Sequence, residues 1–489
     1  GVSAYSYYKL DLNNFKKKLV LKGNDKYYSI RFNNKGEPTS ALSDNRGRRE
    51  TIFYYRTGEE GSKQWTEYYR QSFDTYETFY PLGPVLNDKF EWDEESLYVV
   101  ANNGRDKEGL WTYNINTQKY GKLIYEDDVV DIAGGIYYES PNQEDSKLVG
   151  FRTFSDRERR YYLSGERSLE VESLYYQLEQ IIPNAYEVDI ISETDDKSSF
   201  IVRNIAPNDP GSYYLYHKNQ FQFLANVKPF LDSKNLAKLS YIEYPSSDGT
   251  IVRAYVHTPA NGTGPYPAIV IPHGGPFVSE TITFDRVSQF FANNGYVVIQ
   301  PQYRGSFNYG IDFHQKAFIN GGQGGKLMQD DKDYAAKYLV KNGLIDKDNI
   351  FMWGGSYGGY AALIAATNDM YKCSAGFAVV SDTKQQISYY ANRLDGLQKE
   401  RQMSYALGSV SPVDVTDQVK IPLLIIHGDD DQRTPIKHAY NYVEKLKENN
   451  IPHEFVVLEG ADHFFDTLTY DHFVTLFEKS LDFYKTCGE

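Results

Sequence analysis

The 489-residue sequence predicts two units of different class, an all-β domain over residues 1–237 and a doubly wound, mostly parallel α/β domain over residues 238–489. Three observations predict this. Before residue 237, short aromatic and β-branched runs alternate with polar turns. After Ser240, short β-branched runs alternate with amphipathic helices, the pattern of βα units around a sheet buried on both faces. Between Ala225 and Leu239 both patterns lapse, and the stretch from Asn226 to Asn235 reads as a linker.

In the first half, Tyr27–Phe32, Thr51–Tyr55, Leu97–Ala101, Leu110–Ile115, Lys147–Phe151, Ser199–Arg203 and Ser212–Tyr216 are the strand candidates. Two stretches look alike. Glu95–Ala101, Gly109–Asn114 and Gly121–Tyr125 are echoed by Ser198–Arg203, Gly211–Tyr216 and Phe221–Leu224. A three-strand unit repeated at an irregular period predicts a partial β-propeller of roughly four or five blades, with a β-sandwich as the alternative. One segment, from Ser168 to Ile182, has helical spacing at Leu174, Leu178 and Ile181 and is ended by Pro183.

In the second half, Ser240–Tyr244 and Ile251–His257 form a hairpin around Ser246-Ser-Asp-Gly. Strands follow at Ala268–Ile271, Tyr296–Ile299, Ile350–Trp353, Gly376–Val380, Leu423–Ile426 and Glu454–Leu458. Helices over Thr283–Asn294, Gln329–Asn342, Thr434–Asn449 and Asp466–Tyr484 carry apolar residues at i, i+3 and i+4. In such a fold, chemistry belongs on the loops at the strand C-termini.

Those loops carry the candidate site. The strand Ile350–Trp353 runs into Gly354-Gly-Ser-Tyr-Gly-Gly and then a small-residue helix. A serine in Gly-x-Ser-x-Gly between strand and helix is the nucleophile elbow of an α/β-hydrolase. The turn lifts the Ser356 hydroxyl above the sheet, and glycines on both sides avoid clashes with neighbouring elements. The bare pattern is weak, with on the order of 0.1–0.2 chance occurrences in a chain this rich in glycine, so its context carries the reading. The strand Leu423–Ile426 ends in His427-Gly-Asp-Asp-Asp, and Glu454–Leu458 ends in Glu459-Gly-Ala-Asp-His. A serine, then an aspartate, then His463 is the chain order of the hydrolase triad. Ser356 would be the nucleophile, His463 the base, and the aspartate the group that orients the imidazole. Asp429, Asp430 and Asp431 are equal candidates on these grounds, and His427, on the acid's own loop, fits a local hydrogen bond better than the base. His273-Gly-Gly-Pro after the strand Ala268–Ile271 is placed to supply one oxyanion amide, the other being the N–H of Tyr357. Val380 and the Tyr389–Tyr390 pair follow the next strand and are candidates for a substrate-pocket wall.

Composition narrows the partners. With 52 Lys and Arg against 66 Asp and Glu, the formal charge is −14, which argues against nucleic acid or an anionic membrane. No apolar run spans a bilayer, and no basic, hydrophobic leader opens the chain. A cytoplasmic location is expected, or a periplasmic or secreted one if the start at Gly1 is processed. Cys373 and Cys487 cannot build a disulfide framework, and Cys373 reads as a buried apolar residue. No metal-ligand spacing and no cofactor motif is present in the sequence.

The second half resembles the prolyl oligopeptidase family of serine peptidases, most closely its acylaminoacyl-peptidase and dipeptidyl-peptidase-like branch. The motifs that carry this are His273-Gly-Gly-Pro, Tyr303-Arg-Gly-Ser with Tyr309-Gly, Gly324-Gly-Lys-Leu-Met-Gln-Asp-Asp, Gly354-Gly-Ser-Tyr-Gly-Gly-Tyr, Ser411-Pro-Val, His427-Gly-x-x-Asp and His463. The resemblance implies Asp431 as the triad acid, and Gly275 with Tyr357 as oxyanion donors. It also implies an N-terminal propeller that limits access to short peptides. The family's propeller has seven or eight blades, which 237 residues do not supply, so a fragment or a short form with a more open site is expected. The family's dipeptidyl branch binds the substrate amine with a glutamate pair on a propeller helix. Glu59-Glu60 and Glu94-Glu95 are not in such an insertion, so dipeptidyl activity does not follow. The expected function is a serine peptidase of the oligopeptidase, acylaminoacyl or dipeptidyl type, without cofactor; a homo-oligomer is compatible with the sequence. A carboxylesterase using the same triad and a non-catalytic peptide-binding scaffold are the alternatives.

Overall fold

The structure is a computed structural model that describes residues 5–487 except 25, 34, 46, 58–63, 88–91, 139–145, 219, 391–400 and 406–407. Its first half is a series of antiparallel sheets. A two-stranded ribbon, Tyr7–Leu10 with Lys17–Leu21, precedes four larger sheets spanning 28–72, 79–125, 132–162 and 187–226, with four, four, three and four strands. Side-chain alternation joins one sheet to the next. Val99 faces back and packs with Phe53, Tyr68, Phe79 and Tyr113. Its neighbour Val100 faces forward and packs with Leu110, Ile132, Leu148 and Phe151. Successive sheets stacked face to face in this way are propeller blades, not the two layers of a sandwich. A helix, Glu166–Ile181, follows the three-stranded sheet and packs Leu178 onto Val188, Phe200 and Val202 of the last one.

The second half is an eight-stranded sheet. Its strands are β1 (Lys238–Pro245), β2 (Ile251–Thr258), β3 (Tyr266–Val270), β4 (Val297–Gln302), β5 (Ile345–Gly355), β6 (Cys373–Phe377), β7 (Leu423–Gly428) and β8 (His453–Leu458). The spatial order is β1-β2-β4-β3-β5-β6-β7-β8. β2 runs antiparallel to both its neighbours, and the pairs from β4 onward are parallel. Its helices include α1 (Arg286–Asn293), α2 (Ile311–Gln315), α3 (Leu327–Lys341), α4 (Tyr357–Ala365), α5 (Thr383–Tyr390), α6 (Lys437–Glu448) and α7 (Tyr470–Cys487).

The two sheet faces have separate cores. Val287 and Phe291 of α1 and Leu476, Leu481 and Tyr484 of α7 cover Phe351, Trp353 and Ile426. Leu339 of α3, Ala361 and Ala362 of α4 and Leu446 of α6 cover Val270, Met352 and Ile425. The small residues of α4 let it lie close on the sheet, and every residue of that helix is buried.

Cys373 is buried on β6 as expected, but it is also bonded to Cys487 at the end of α7. Two cysteines make no framework, but they make this one bond, which the sequence did not predict: 114 residues of separation hid a pair that the fold makes adjacent. The two halves are joined by apolar contacts, Val130 packing in a core of the sheet and Tyr76 stacking on Phe318, and by hydrogen bonds. Ile311 and Asp312 N–H donate to Asp106 O and Oδ1, at 2.9 and 2.8 Å. Lys107 Nζ donates to Tyr309 O at 3.0 Å, Gly310 N–H to Asp131 Oδ2 at 3.1 Å, and Tyr255 Oη–H to Ser155 O at 2.7 Å.

Candidate active site

β5 ends in the nucleophile turn. Ser356 has φ 58° and ψ −116°, left-handed backbone that a non-glycine residue adopts only when its surroundings force it. The flanking glycines have a measurable reason. A Cβ on Gly354 would lie 2.5 Å from the carbonyl carbon of Gly358, and one on Gly358 would lie 2.3 Å from Pro272 O. Neither backbone can retreat from a side chain, so only glycine fits. Ser356 is also the residue that precedes the first turn of α4, so the helix dipole favours negative charge beside its hydroxyl.

The other two groups arrive on the loops after β7 and β8. Ser356 Oγ–H donates to His463 Nε2 at 3.1 Å, and His463 Nδ1–H donates to Asp431 Oδ2 at 2.8 Å. Asp431 is 4% exposed and His463 8%. The carboxylate is held by its own turn: Arg433 and Thr434 N–H donate to Oδ1 at 2.8 and 2.7 Å, and Thr434 Oγ lies 2.8 Å from Oδ2. Burial raises the Asp431 pKa, but hydrogen bonding from His427, His463 and Thr434 N–H outweighs it and holds the group well below the usual carboxylate range.

The aspartate triplet divides cleanly. Asp431 points inward, while Asp429 accepts from Gly460 N–H at 2.6 Å and Asp430 from exposed Gln432 at 3.3 Å. His427 does bond locally, its Nε2 lying 2.8 Å from Thr434 O. The supporting role of Thr434 was not read from the sequence; the Asp431-x-x-Thr434 spacing of an Asx-type turn was the available signal.

The loop Pro272–Pro276 passes directly over the serine. A Cβ on Gly274 would stand 3.5 Å from Ser356 Cβ, and Gly275, at φ 112°, could bear a Cβ only 2.7 Å from Phe277 N. Gly275 and Tyr357 line one cleft with Ser356. Gln402 Nε2 donates to Gly275 O at 3.1 Å, which fixes the orientation of that peptide; Gln402 was absent from the sequence-derived site.

The cleft is walled mainly by Tyr357, Tyr360, Val380, Ile387, Tyr390 and Tyr405. Val380 and Tyr390 line this cleft. Tyr389 does not: it lies on the outer side of α5, and its hydroxyl donates to Gln432 O. Adjacent helical residues point about 100° apart, so one of the two tyrosines had to face away. The polar wall residue Gln386 is already occupied, donating to Arg433 O at 2.9 Å and accepting from His438 at 2.8 Å. Glu59 and Glu60 lie outside the described residues, as does the side chain of Glu94, and Glu95 is exposed at a strand. Among the described residues, no three His, Cys, Asp or Glu side chains are grouped to hold a metal ion.

Residues 282–489 match a sequence model of the prolyl oligopeptidase family. Over 432 residues the chain is 28% identical to dipeptidyl aminopeptidase BIII of Pseudoxanthomonas mexicana, covering 84% of this chain and 60% of that protein. Human acylamino-acid-releasing enzyme is 26% identical over 226 residues, 40% of this chain and 28% of that one. Among solved structures, a puromycin-hydrolyzing peptidase of Mycobacterium tuberculosis superposes with a TM-score of 0.73 at 19% identity, covering 96% of this chain and 71% of that one. The chain thus spans about three-fifths of the length of the dipeptidyl aminopeptidase it matches.

Proposed function

We propose, from the premise that residues 282–489 form a domain of the prolyl oligopeptidase family, that this protein is a serine peptidase acting on short peptides through an acyl-enzyme on Ser356. The observation that carries the reading is the unbroken line Ser356–His463–Asp431, at 3.1 and 2.8 Å, with two candidate amide donors beside it.

The chemistry follows from the geometry. His463 Nε2 takes the Ser356 proton as Oγ attacks the scissile carbonyl. The carbonyl oxygen becomes an oxyanion facing the N–H groups of Gly275 and Tyr357 at the start of α4. Asp431 stabilises the imidazolium and keeps Nδ1 protonated. Collapse of the tetrahedral intermediate breaks the C–N bond, and His463 gives its proton to the leaving amine. Water then attacks the acyl-enzyme with the same base, releasing the acid and restoring the serine. The aromatic and aliphatic wall, whose two amides, Gln386 and Gln402, already bond within the protein, favours a neutral apolar side chain at the cleaved residue.

The test is labelling by a fluorophosphonate together with turnover of peptide anilides bearing free and acetylated N-termini. Labelling and turnover are expected in the wild type, and both should vanish in Ser356→Ala. Labelling that survives in the alanine variant would refute the assignment of the nucleophile. The complete triad argues against a non-catalytic scaffold. The Cys373–Cys487 bond supports an oxidising compartment, periplasmic or extracellular, over the cytoplasm.

A further inference from the structure

Beneath the oxyanion loop lies a lysine that the mechanism above does not use. Lys332, on α3, is fully buried. Lysine is almost never buried without a paired carboxylate, yet among the described residues none lies within ion-pair distance of this ammonium. The nearby acids are otherwise engaged. Asp331 receives Arg304 at 2.7 Å and Ser246 at 2.6 Å. Asp333 receives Tyr371 at 2.7 Å, Gln329 at 3.0 Å and Asn368 at 2.9 Å. Lys332 Nζ instead donates to Met328 O at 2.5 Å and to the hydroxyl of Tyr357 at 3.1 Å. It stands 3.9 Å from the centre of the Tyr303 ring.

Those two tyrosines lead to the two sides of the oxyanion hole. Tyr357 follows the nucleophile, and its main chain supplies one amide. Tyr303 Oη lies 2.8 Å from both Nδ1 and the carbonyl oxygen of His273, and its ring stacks on the imidazole with centroids 4.2 Å apart. Ser306 holds the far side of that imidazole at 2.9 Å. His273 begins the His-Gly-Gly-Pro loop that carries Gly275. Burial pushes His273 down to about 3, so the ring is neutral and serves as a strut.

We infer that Lys332 is a positioning residue for the proposed reaction, its ammonium tying Tyr357 to Tyr303 and through it to the His273 loop, so that the two oxyanion amides keep a fixed separation. This rests on the serine-peptidase reading. The ammonium form is the one that fits, because its charge faces a ring that attracts cations. Burial depresses Lys332 to about 7, against attraction from Asp331, Asp333 and Asp330 and with repulsion from Arg304 on the loop after β4. Deprotonation therefore loosens the tie as pH rises through the neutral range.

The test compares wild type with Lys332→Met and Tyr303→Phe by steady-state hydrolysis of a peptide anilide across pH 5.5–9.5, with fluorophosphonate labelling and thermal melts as controls for an intact serine and fold. The methionine variant keeps the length and removes the charge. The phenylalanine variant leaves Lys332 buried and cuts the link to His273. Both are expected to lower kcat about 10- to 100-fold with KM changed less than twofold. Wild-type kcat/KM should fall on the alkaline side, and that fall should be missing in Lys332→Met. A purely structural lysine would lower the melting temperature and leave the pH profile unchanged. Turnover by a folded Lys332→Met or Tyr303→Phe at the wild-type rate, or the same alkaline fall in Lys332→Met, would overturn the inference. A wild type that neither labels nor turns over would instead remove the peptidase reading on which it stands.

Discussion

At the scale of single residues, the site is a set of side chains with little freedom left. Asp431 shows it best, because every bond that lowers its pKa is to its ionised form. Asp431→Asn is expected to cut kcat by about 10⁴-fold, because the amide holds the imidazole in the wrong tautomer. The same shift gives a stability signature. A carboxyl group whose folded pKa is depressed stabilises the fold above its unfolded pKa, about 3.9, and that contribution is lost as pH falls below it. The difference in melting temperature between wild type and Asp431→Asn should therefore be widest near neutrality and shrink below about pH 4, as followed by calorimetry. A constant difference would show that the carboxylate is not stabilised by its neighbours.

Ser356, His463 and the loop that carries the acid were legible in the sequence because chain order and strand ends define them. The choice of Asp431 over Asp429 and Asp430 was not legible from composition, since it depends on where a turn aims a side chain. Thr434 and Gln402 were missed for a related reason: each acts by contact with a group that the fold, not the local sequence, brings near.

At the scale of elements, periodicity found every strand and helix predicted in the second half, and the departures have local causes. The strand expected over Gly376–Val380 is Cys373–Phe377, because Ala378 turns to φ 48° and ends it. In the helix Glu166–Ile181, Ile181 was expected inward and is 54% exposed, while Ile182, four residues after Leu178, is 3% exposed. An i+4 step keeps the face that an i+3 step began to leave.

The covalent link between β6 and α7 could not be read from two cysteines far apart in the chain. Its effect belongs to these elements. Closing a loop of about 100 residues removes roughly 4–5 kcal/mol of unfolded-state freedom in the chain-entropy view. Reduction, or Cys487→Ser, is expected to lower the melting temperature measurably, and thiol titration of the native protein should find no free cysteine. Two reactive thiols in protein denatured without reductant would contradict the bond.

At the scale of the whole molecule, two halves built on different periodicities meet along the seam of Asp106, Lys107, Asp131 and Ser155 with Tyr255 and residues 309–312. The double variant Lys107→Met with Tyr255→Phe removes one hydrogen bond across the seam at each of two places, together with the Lys107–Asp106 ion pair beside it. At about 0.5–1.5 kcal/mol apiece, a fall in melting temperature of roughly 1–3 °C is expected by calorimetry. No change would mean that the halves are held together elsewhere.

Each of those bonds has main chain on at least one side: the carbonyls of Asp106, Ser155 and Tyr309, or the amides of 310–312. Main-chain groups are the same whatever amino acid carries them. A joint written in that alphabet tolerates drift in one partner while the other stands still. It also says what a foreign β-rich front end grafted at the 226–238 connection has to bring: loops that present an acid, a lysine and an acid where Asp106, Lys107 and Asp131 stand, to meet a main chain that asks nothing of its own side chains.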